Sequence, residues 1–354
     1  MRSLRRRLAG LLVPLLLSPC AYADRPPADS WTFTFRFEND LFAQTDRYYT
    51  NGLKASWISP ELQWFQDLDW FQKRSWLRDL ANRLVAMLPY SDDAERQRNL
   101  AITIGQQMYT PADIRRSDPI PDDRPYAGWL YGSVGFHSKT YRRLDTFEIQ
   151  AGFVGPWSLA HEAQDLVHDI RGLNEARGWS HQLHTEPGIN LIYDRKYRLV
   201  PRHDFADLWG YDCIVYGGVA LGNVSTNAIA GVEARIGWNI PTDFGTALIR
   251  PGGDAKAPAD SQDPRYSRDG RAFAFHLFGA ATARVIGRDI FLDGNTFEHS
   301  AHIDKKNVVG DFMIGASAIY RGFELTYAQV LRTDEFVGQD GDQYFGSISL
   351  SYTY

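Results

Sequence analysis

Residues 31–38 alternate strictly. Trp31, Phe33, Phe35 and Phe37 share one face, and Thr32, Thr34, Arg36 and Glu38 share the other. A period of two is the signature of a half-buried β-strand. It recurs at 144–153, where Phe147, Ile149, Ala151 and Phe153 oppose Glu148, Gln150 and Gly152. It recurs again at 321–331, where Phe323, Leu325 and Tyr327 oppose Glu324, Thr326 and Ala328, and in a last segment where Tyr344, Ile348, Leu350, Tyr352 and Tyr354 have one parity. The pattern predicts strands near 31–39, 49–58, 98–107, 128–138, 143–153, 188–197, 210–223, 228–238, 272–293, 308–320, 322–332 and 343–354. The 272–293 stretch contains Gly287 and would give thirteen strands if divided there. It is kept whole because single-chain bacterial barrels have an even strand number.

The apolar face of these strands is heavily aromatic and the opposite face carries charges and amides. A soluble sandwich also alternates, but aromatic girdles outside and a wet lumen inside point to an all-β chain forming a transmembrane, outer-membrane antiparallel β-barrel of twelve strands. With both termini on the periplasmic side, the outer loops are 40–48, 108–127, 154–187, 224–227, 294–307 and 333–342. The inner connections are 59–97, 139–142, 198–209, 239–271 and the corner Arg321-Gly322. Two of these are long for inner turns. In 59–97 the spacing of Trp64, Phe65, Leu68 and Trp70, then Trp76, Leu77, Leu80, Leu84 and Leu88, predicts a helical insertion, either amphipathic at the membrane face or packed under the barrel. The stretch 251–271, rich in Pro, Gly, Asp and Ser, reads as a flexible insertion. Within the third outer loop, 159–171 reads as a helix with an apolar stripe of Leu159, Ala163, Leu166, Val167 and Ile170 and a stop at Gly172.

Residues 1–23 read as an export leader: Arg2, Arg5, Arg6 and Arg7, an apolar run from Leu8 to Leu17, and Ala21-Tyr22-Ala23 as the cleavage site. The barrel would then be one domain over 24–354. The chain has 354 residues and a net charge of −5, and removing four arginines with no acid takes this to −9. That balance gives no electrostatic support to nucleic-acid binding. Of the two cysteines, Cys20 lies in the leader, so Cys213 alone cannot form an internal disulfide or a thiolate metal site. The 48 aromatic residues are read as a membrane girdle together with the 59–97 segment.

Four polar clusters fall at the outer rim of this topology: Glu38-Asn39-Asp40; Thr45 to Gly52; Tyr109-Thr110-Pro111 with Asp122 to Trp129; and Gly155-Pro156 followed by His161 to His168. Parity places Asp40 and Thr50 toward the lumen. Hydroxyl, amide and carboxylate oxygens from Asn39, Asp40 and Thr50 suit a hard cation such as calcium better than zinc. A helical histidine near them suits ester hydrolysis, the base activating water and the cation stabilising an oxyanion. Arg47, Arg115, Arg116 and Arg124 are read either as solvated loop charges or as contacts to anionic lipid phosphates. No Gly-x-Ser-x-Gly elbow and no His-Glu-x-x-His is present.

The ordered set Glu38-Asn39-Asp40, Thr45 to Gly52, Asp123-Arg124-Pro125-Tyr126-Ala127-Gly128 and Gln164-Asp165-Leu166-Val167-His168 resembles the LpxR family of lipid A 3′-O-deacylases. The resemblance implies a twelve-stranded outer-membrane barrel that hydrolyses the 3′ acyloxyacyl ester of lipid A in lipopolysaccharide, with a calcium ion at the rim. It implies His168 as general base, Asn39, Asp40 and Thr50 as active-site residues, and Asp40 as a metal ligand; the acidic position that the family pattern has a few residues after the histidine falls at Asn174 here, and the adjacent Glu175 is the second metal ligand expected. Where the family pattern has a lysine after Tyr-x-Pro, this chain has Ala112-Asp113-Ile114-Arg115-Arg116, so Arg115 or Arg116 would supply that charge. A monomer in contact with outer-membrane lipid is expected. A phospholipase-type acyl hydrolase and a non-enzymatic porin are the alternatives.

Overall fold

A computed structural model describes residues 30–40, 48–62, 79, 83, 96–171, 176–246, 248–249, 256–267 and 273–354. The leader and most of the predicted 59–97 helical insertion lie outside the described residues. Twelve antiparallel strands close into one barrel: β1 (Thr32–Asn39), β2 (Tyr48–Ile58), β3 (Gln97–Thr110), β4 (Ala127–Lys139), β5 (Arg143–Val154), β6 (Glu186–Ala206), β7 (Trp209–Gly222), β8 (Ser225–Trp238), β9 (Phe273–Asp289), β10 (Val308–Tyr320), β11 (Phe323–Arg332) and β12 (Gln343–Thr353). Each strand pairs with its neighbour in sequence, and β1 pairs with β12 in the register Phe33↔Tyr352 and Phe37↔Ile348. Two helices follow strands among the described residues: α1 (Ala160–Arg171) and α2 (Ile290–Asp293).

The predicted strand count and alternation hold. Thr32, Thr34, Arg36 and Glu38 are buried in the lumen, whereas Phe35 is 42% exposed on the outside. At the seam the inward hydroxyls pair across the closure, Thr32 with Thr353 at 3.1 Å and Thr34 with Ser351 at 2.9 Å, so the last strand pair also satisfies its side chains. Two boundaries differ most from expectation. β6 runs on to Ala206 because Val200-Pro201-Arg202 breaks the alternation without ending the pairing; the register with β7 shifts three times instead. β9 stops at Asp289, whose carboxylate accepts the Phe291 N–H at 3.0 Å and turns the predicted strand end into α2.

The largest departure is in the 239–271 connection: of the 251–271 stretch read as a flexible insertion, the described residues 256–267 are packed. Its described residues fold back into the lumen and bond to strands all around the wall. Asp243 accepts from Arg235 of β8 at 2.6 Å, and its carbonyl accepts from Arg198 of β6 at 2.6 Å. The Pro258 carbonyl accepts from Lys139 of β4 at 2.7 Å, and the Ala259 carbonyl from Gln97 of β3 at 2.7 Å. Lys256 and Arg265 both pair with Glu324 of β11, and the Ile249 N–H donates to Glu38 of β1 at 2.8 Å. Only a segment inside the barrel reaches six such strands. Above the plug, Phe291 of α2 stacks on Tyr109 at 4.3 Å, in a cluster with Tyr49, Trp129, Tyr131, Leu248, Phe278 and Phe345. A good share of the aromatics therefore fills the outer lumen. Others do form a girdle at the end bearing the termini, among them Trp31, Trp57, Phe273, Tyr320 and Phe323.

Arg235 is the centre of the plug's ionic contacts, bonded to Asp212 as well as to Asp243, with every side chain in the group fully buried. Breaking a buried pair by removing one partner leaves an uncompensated charge and costs about 3–5 kcal/mol. Arg235→Met is expected to lower the urea midpoint of the detergent-solubilised barrel accordingly, while Arg288→Met at the rim shifts it little.

Candidate functional site at the outer rim

The third outer loop lays α1 against the outside of the wall. Gly128, the outward residue near the start of β4, makes this possible: a side chain there would overlap Ser158 and Ala160. Gln106 of β3 donates to the Ser158 carbonyl at 2.7 Å. A compact apolar cluster of Met108, Ile114, Tyr126, Ala160, Ala176 and Trp179 seats the first turns over β3 and β4. The predicted helix is present, but its buried face is different. Ala160, Gln164 and His168, spaced by four, face inward, while Leu159 is 52% and Leu166 62% exposed. Helix position and polarity are thus inverted relative to a water-soluble loop, because the surface outside this wall is apolar too.

Gln164 is a functional candidate that the sequence reading left unassigned. Its Oε1 accepts the Trp179 indole N–H at 2.6 Å, which fixes the orientation of the amide. Trp179 is itself held against Tyr126 (4.9 Å) and His161 (5.8 Å). The Gln164 Nε2 is buried and makes no hydrogen bond to the described residues. The available signal was its place one turn before His168 on one helix face.

On the wall, Asn39, Asp40, Thr50 and Thr110 are all buried at the same rim, Asp40 completely. Asn39 shares the outward parity of Phe33, Phe35 and Phe37, and its Nδ2 donates to the Thr50 carbonyl at 2.9 Å. Thr50 does not point into the lumen as parity predicts. The β2–β3 register shifts between Tyr49 and Asn51, so Tyr49 turns inward and Thr50 turns outward, its hydroxyl 2.6 Å from that of Thr110. His168 stands eight residues after Ala160, about 12 Å along a helix. β2 is two strands from β4, roughly 10 Å at ordinary spacing. A helix that begins over β4 and meets β3 therefore has the length to carry His168 to the β2 side, where Asn39 and Thr50 stand.

The arginines separate. Arg115 is exposed and bound to Asp113 at 2.9 Å, which holds that carboxyl below its ordinary range. Arg116 lines a surface hollow with Asp118, His181 and His302. Arg124 is not a surface contact for phosphate: it is fully buried, donates to Glu335 at 3.0 Å and lies 4.5 Å over the Tyr109 ring. The reason is Glu335, carried inward by the last outer loop and also paired with Arg284 and Arg332. Arg47 and Glu175 lie outside the described residues. The described residues contain no group of three or more His, Cys, Asp or Glu suited to a metal. The rim offers one carboxylate, Asp40, with amide and hydroxyl oxygens of Asn39 and Thr50: hard donors of the kind calcium takes, in fewer number than its usual six to eight.

The family described as Outer membrane protein LpxR matches residues 9–354. The chain belongs to the LpxR family. Among solved structures, LpxR from Salmonella typhimurium superposes with a TM-score of 0.69 at 15% identity, over 91% of this chain and 99% of that one, so the fold is shared. The β-domain of the Bordetella autotransporter BrkA covers 92% of this chain at 8% identity with a TM-score of 0.37. No curated protein matches by sequence. Family membership makes the chain an outer-membrane β-barrel protein.

Two outcomes follow for this LpxR-family rim. Gly128→Val is expected to unseat α1 and open the 155–185 loop to proteolysis while the barrel keeps its heat-modifiable gel mobility. Burial alone would raise the Glu335 carboxyl, but Arg332, Arg124 and Arg284 hold it below the usual glutamate value of 4.5. A depressed carboxyl contributes stability above its unfolded pKa and loses it as pH falls through the folded value. Amide protection of 333–342 should therefore persist at pH 4.5 and disappear only at more acidic pH, and Glu335→Gln should abolish that transition.

Proposed function

We propose that the chain is an outer-membrane ester hydrolase that removes the 3′-linked acyloxyacyl chain of lipid A, with His168 as general base. The observation that carries this reading is a buried polar seam on the lipid side of the wall. There the Gln164–His168 face of α1 and the Asn39–Thr50–Thr110 row stand at one rim, in a chain of the LpxR family. A porin needs its polar surface in an open lumen, whereas this lumen holds a plug and an aromatic layer.

In this mechanism His168 takes the proton of a water as its oxygen attacks the ester carbonyl, and returns a proton to the departing sugar oxygen, giving a free 3′-hydroxyl and a fatty acid. The oriented Gln164 amide supplies an N–H donor for the substrate. Asn39 keeps the β1 and β2 ends together through the Thr50 carbonyl. Asp40, with the oxygens of Asn39 and Thr50 and with Glu175, would hold calcium, whose charge stabilises an oxyanion. Arg115 and Arg116, and Arg47 of the first loop, are the cations available to lipid A phosphates.

The deciding measurement is mass spectrometry of lipid A from cells expressing the wild type or His168→Ala. The wild type should remove one acyloxyacyl group. The variant should lose activity by roughly 10²–10⁴-fold, the usual contribution of a general base, with the folded barrel present at equal level. Unchanged lipid A in cells with folded wild type would refute the assignment, and acyl loss from phospholipid instead would establish the phospholipase alternative. Excess chelator should abolish activity and calcium should restore it; full activity in chelator would remove the cation from the proposal.

A further inference from the structure

We infer that the luminal plug is a positioning element for the rim site, acting from inside the barrel through Glu38. This rests on the functional reading above and extends it to a segment on the opposite side of the wall from the site. Glu38 precedes Asn39 and Asp40, and because β1 alternates, its carboxylate points into the lumen while Asn39 faces outward. Three elements converge on that carboxylate: the Tyr49 hydroxyl of β2 donates to Oε2 at 2.9 Å, the Ser347 hydroxyl of β12 to Oε1 at 3.2 Å, and the plug's Ile249 N–H to Oε1 at 2.8 Å. The same plug residue is held from the other side, its carbonyl accepting from Gln107 of β3 at 3.2 Å. Its neighbour Leu248 packs in the aromatic layer with Tyr49 and Tyr109.

β1 is the shortest of the twelve strands, eight residues long. A charge-assisted hydrogen bond to a buried carboxylate is among the stronger fixed contacts available there. Ile249 thus completes the coordination of Glu38, clamps β1 to β2 and β12 from within, and holds the Cα of Asn39 where its amide reaches Thr50. A one-ångström displacement of a catalytic group can cost about 10²-fold in rate, so support from the lumen is felt outside it. The first described residues of this connection, 239–246, follow β8 at the end bearing the termini, so the site's geometry depends on a segment rooted there.

The test compares Ile249→Pro, which removes the N–H, with Ile249→Val, which keeps it, and Glu38→Gln, in full-length protein whose barrel is verified by heat-modifiable mobility. Hydrogen–deuterium exchange of residues 36–40 should rise in Ile249→Pro and Glu38→Gln and remain at wild-type level in Ile249→Val, with β11 unchanged in all three. On lipid A, kcat should fall about tenfold with KM within twofold in the first two, and the double variant should be no slower than either alone. Unchanged exchange at 36–40 overturns the inference, and so does raised exchange with undiminished kcat. If the wild type proves inactive on lipid A, the deacylase reading fails, while the exchange comparison still decides whether the plug holds the end of β1. Should Ile249→Pro fail to fold, Glu38→Gln carries both measurements.

Discussion

A sheet that closes on itself inside lipid leaves every side chain one of two destinations, hydrocarbon or lumen, and everything else in this molecule follows from that division. The wall has no edge strand because β1 meets β12, so the strands pair with one another all the way round. The cost is an interior lined by charge. Twelve inward faces bring Arg36, Asp212, Arg235 and Glu324 together in a space too narrow to solvate them freely. The described residues of the 239–267 connection answer this by bringing opposite charges and carbonyls to Arg198, Arg235 and Glu324. It is as much a counterion as a stopper.

The site belongs to the other destination. Catalytic candidates in a barrel are readily imagined in the mouth of the pore, but here the row of Asn39, Thr50 and Thr110 is on the outward side of the wall, and α1 lies against the neighbouring β3 and β4 on that same side. That arrangement needs a wall smooth enough for a helix to approach, provided by Gly128, and a helix whose polar face turns inward, provided by Gln164 and His168. Leu159 and Leu166 on the far side remain exposed to a medium in which exposure is not a penalty. An enzyme acting on an acyl ester gains from this layout, since a lipid can reach the seam by lateral diffusion. The lumen contributes support through Glu38 and the aromatic layer.

Much of this was legible in the chain itself. Alternation is a local property that each strand carries alone, so all twelve strands, their order and the helical loop with His168 could be read without a structure. The polar clusters at the rim were also legible, because runs such as Glu38-Asn39-Asp40 interrupt the alternation where strands end. Reasoning failed where a distant partner decides. Thr50 changed face through a bulge that depends on β3. Arg124 was drawn inside by Glu335, more than two hundred residues away in sequence. The helix stripe was misassigned because the rule that apolar faces turn inward holds in water and reverses at a lipid boundary.

By itself, then, the sequence determined the architecture, the strand number and the family to which the chain belongs. Only the tertiary structure decided on which side of the wall Thr50 lies, that Arg124 is buried against Glu335, and that the described part of the 239–267 connection is packed inside the barrel. The physical reason is range. Pattern is set by neighbours two to four residues apart, whereas burial of a charge is decided by whatever opposite charge the closed sheet brings beside it.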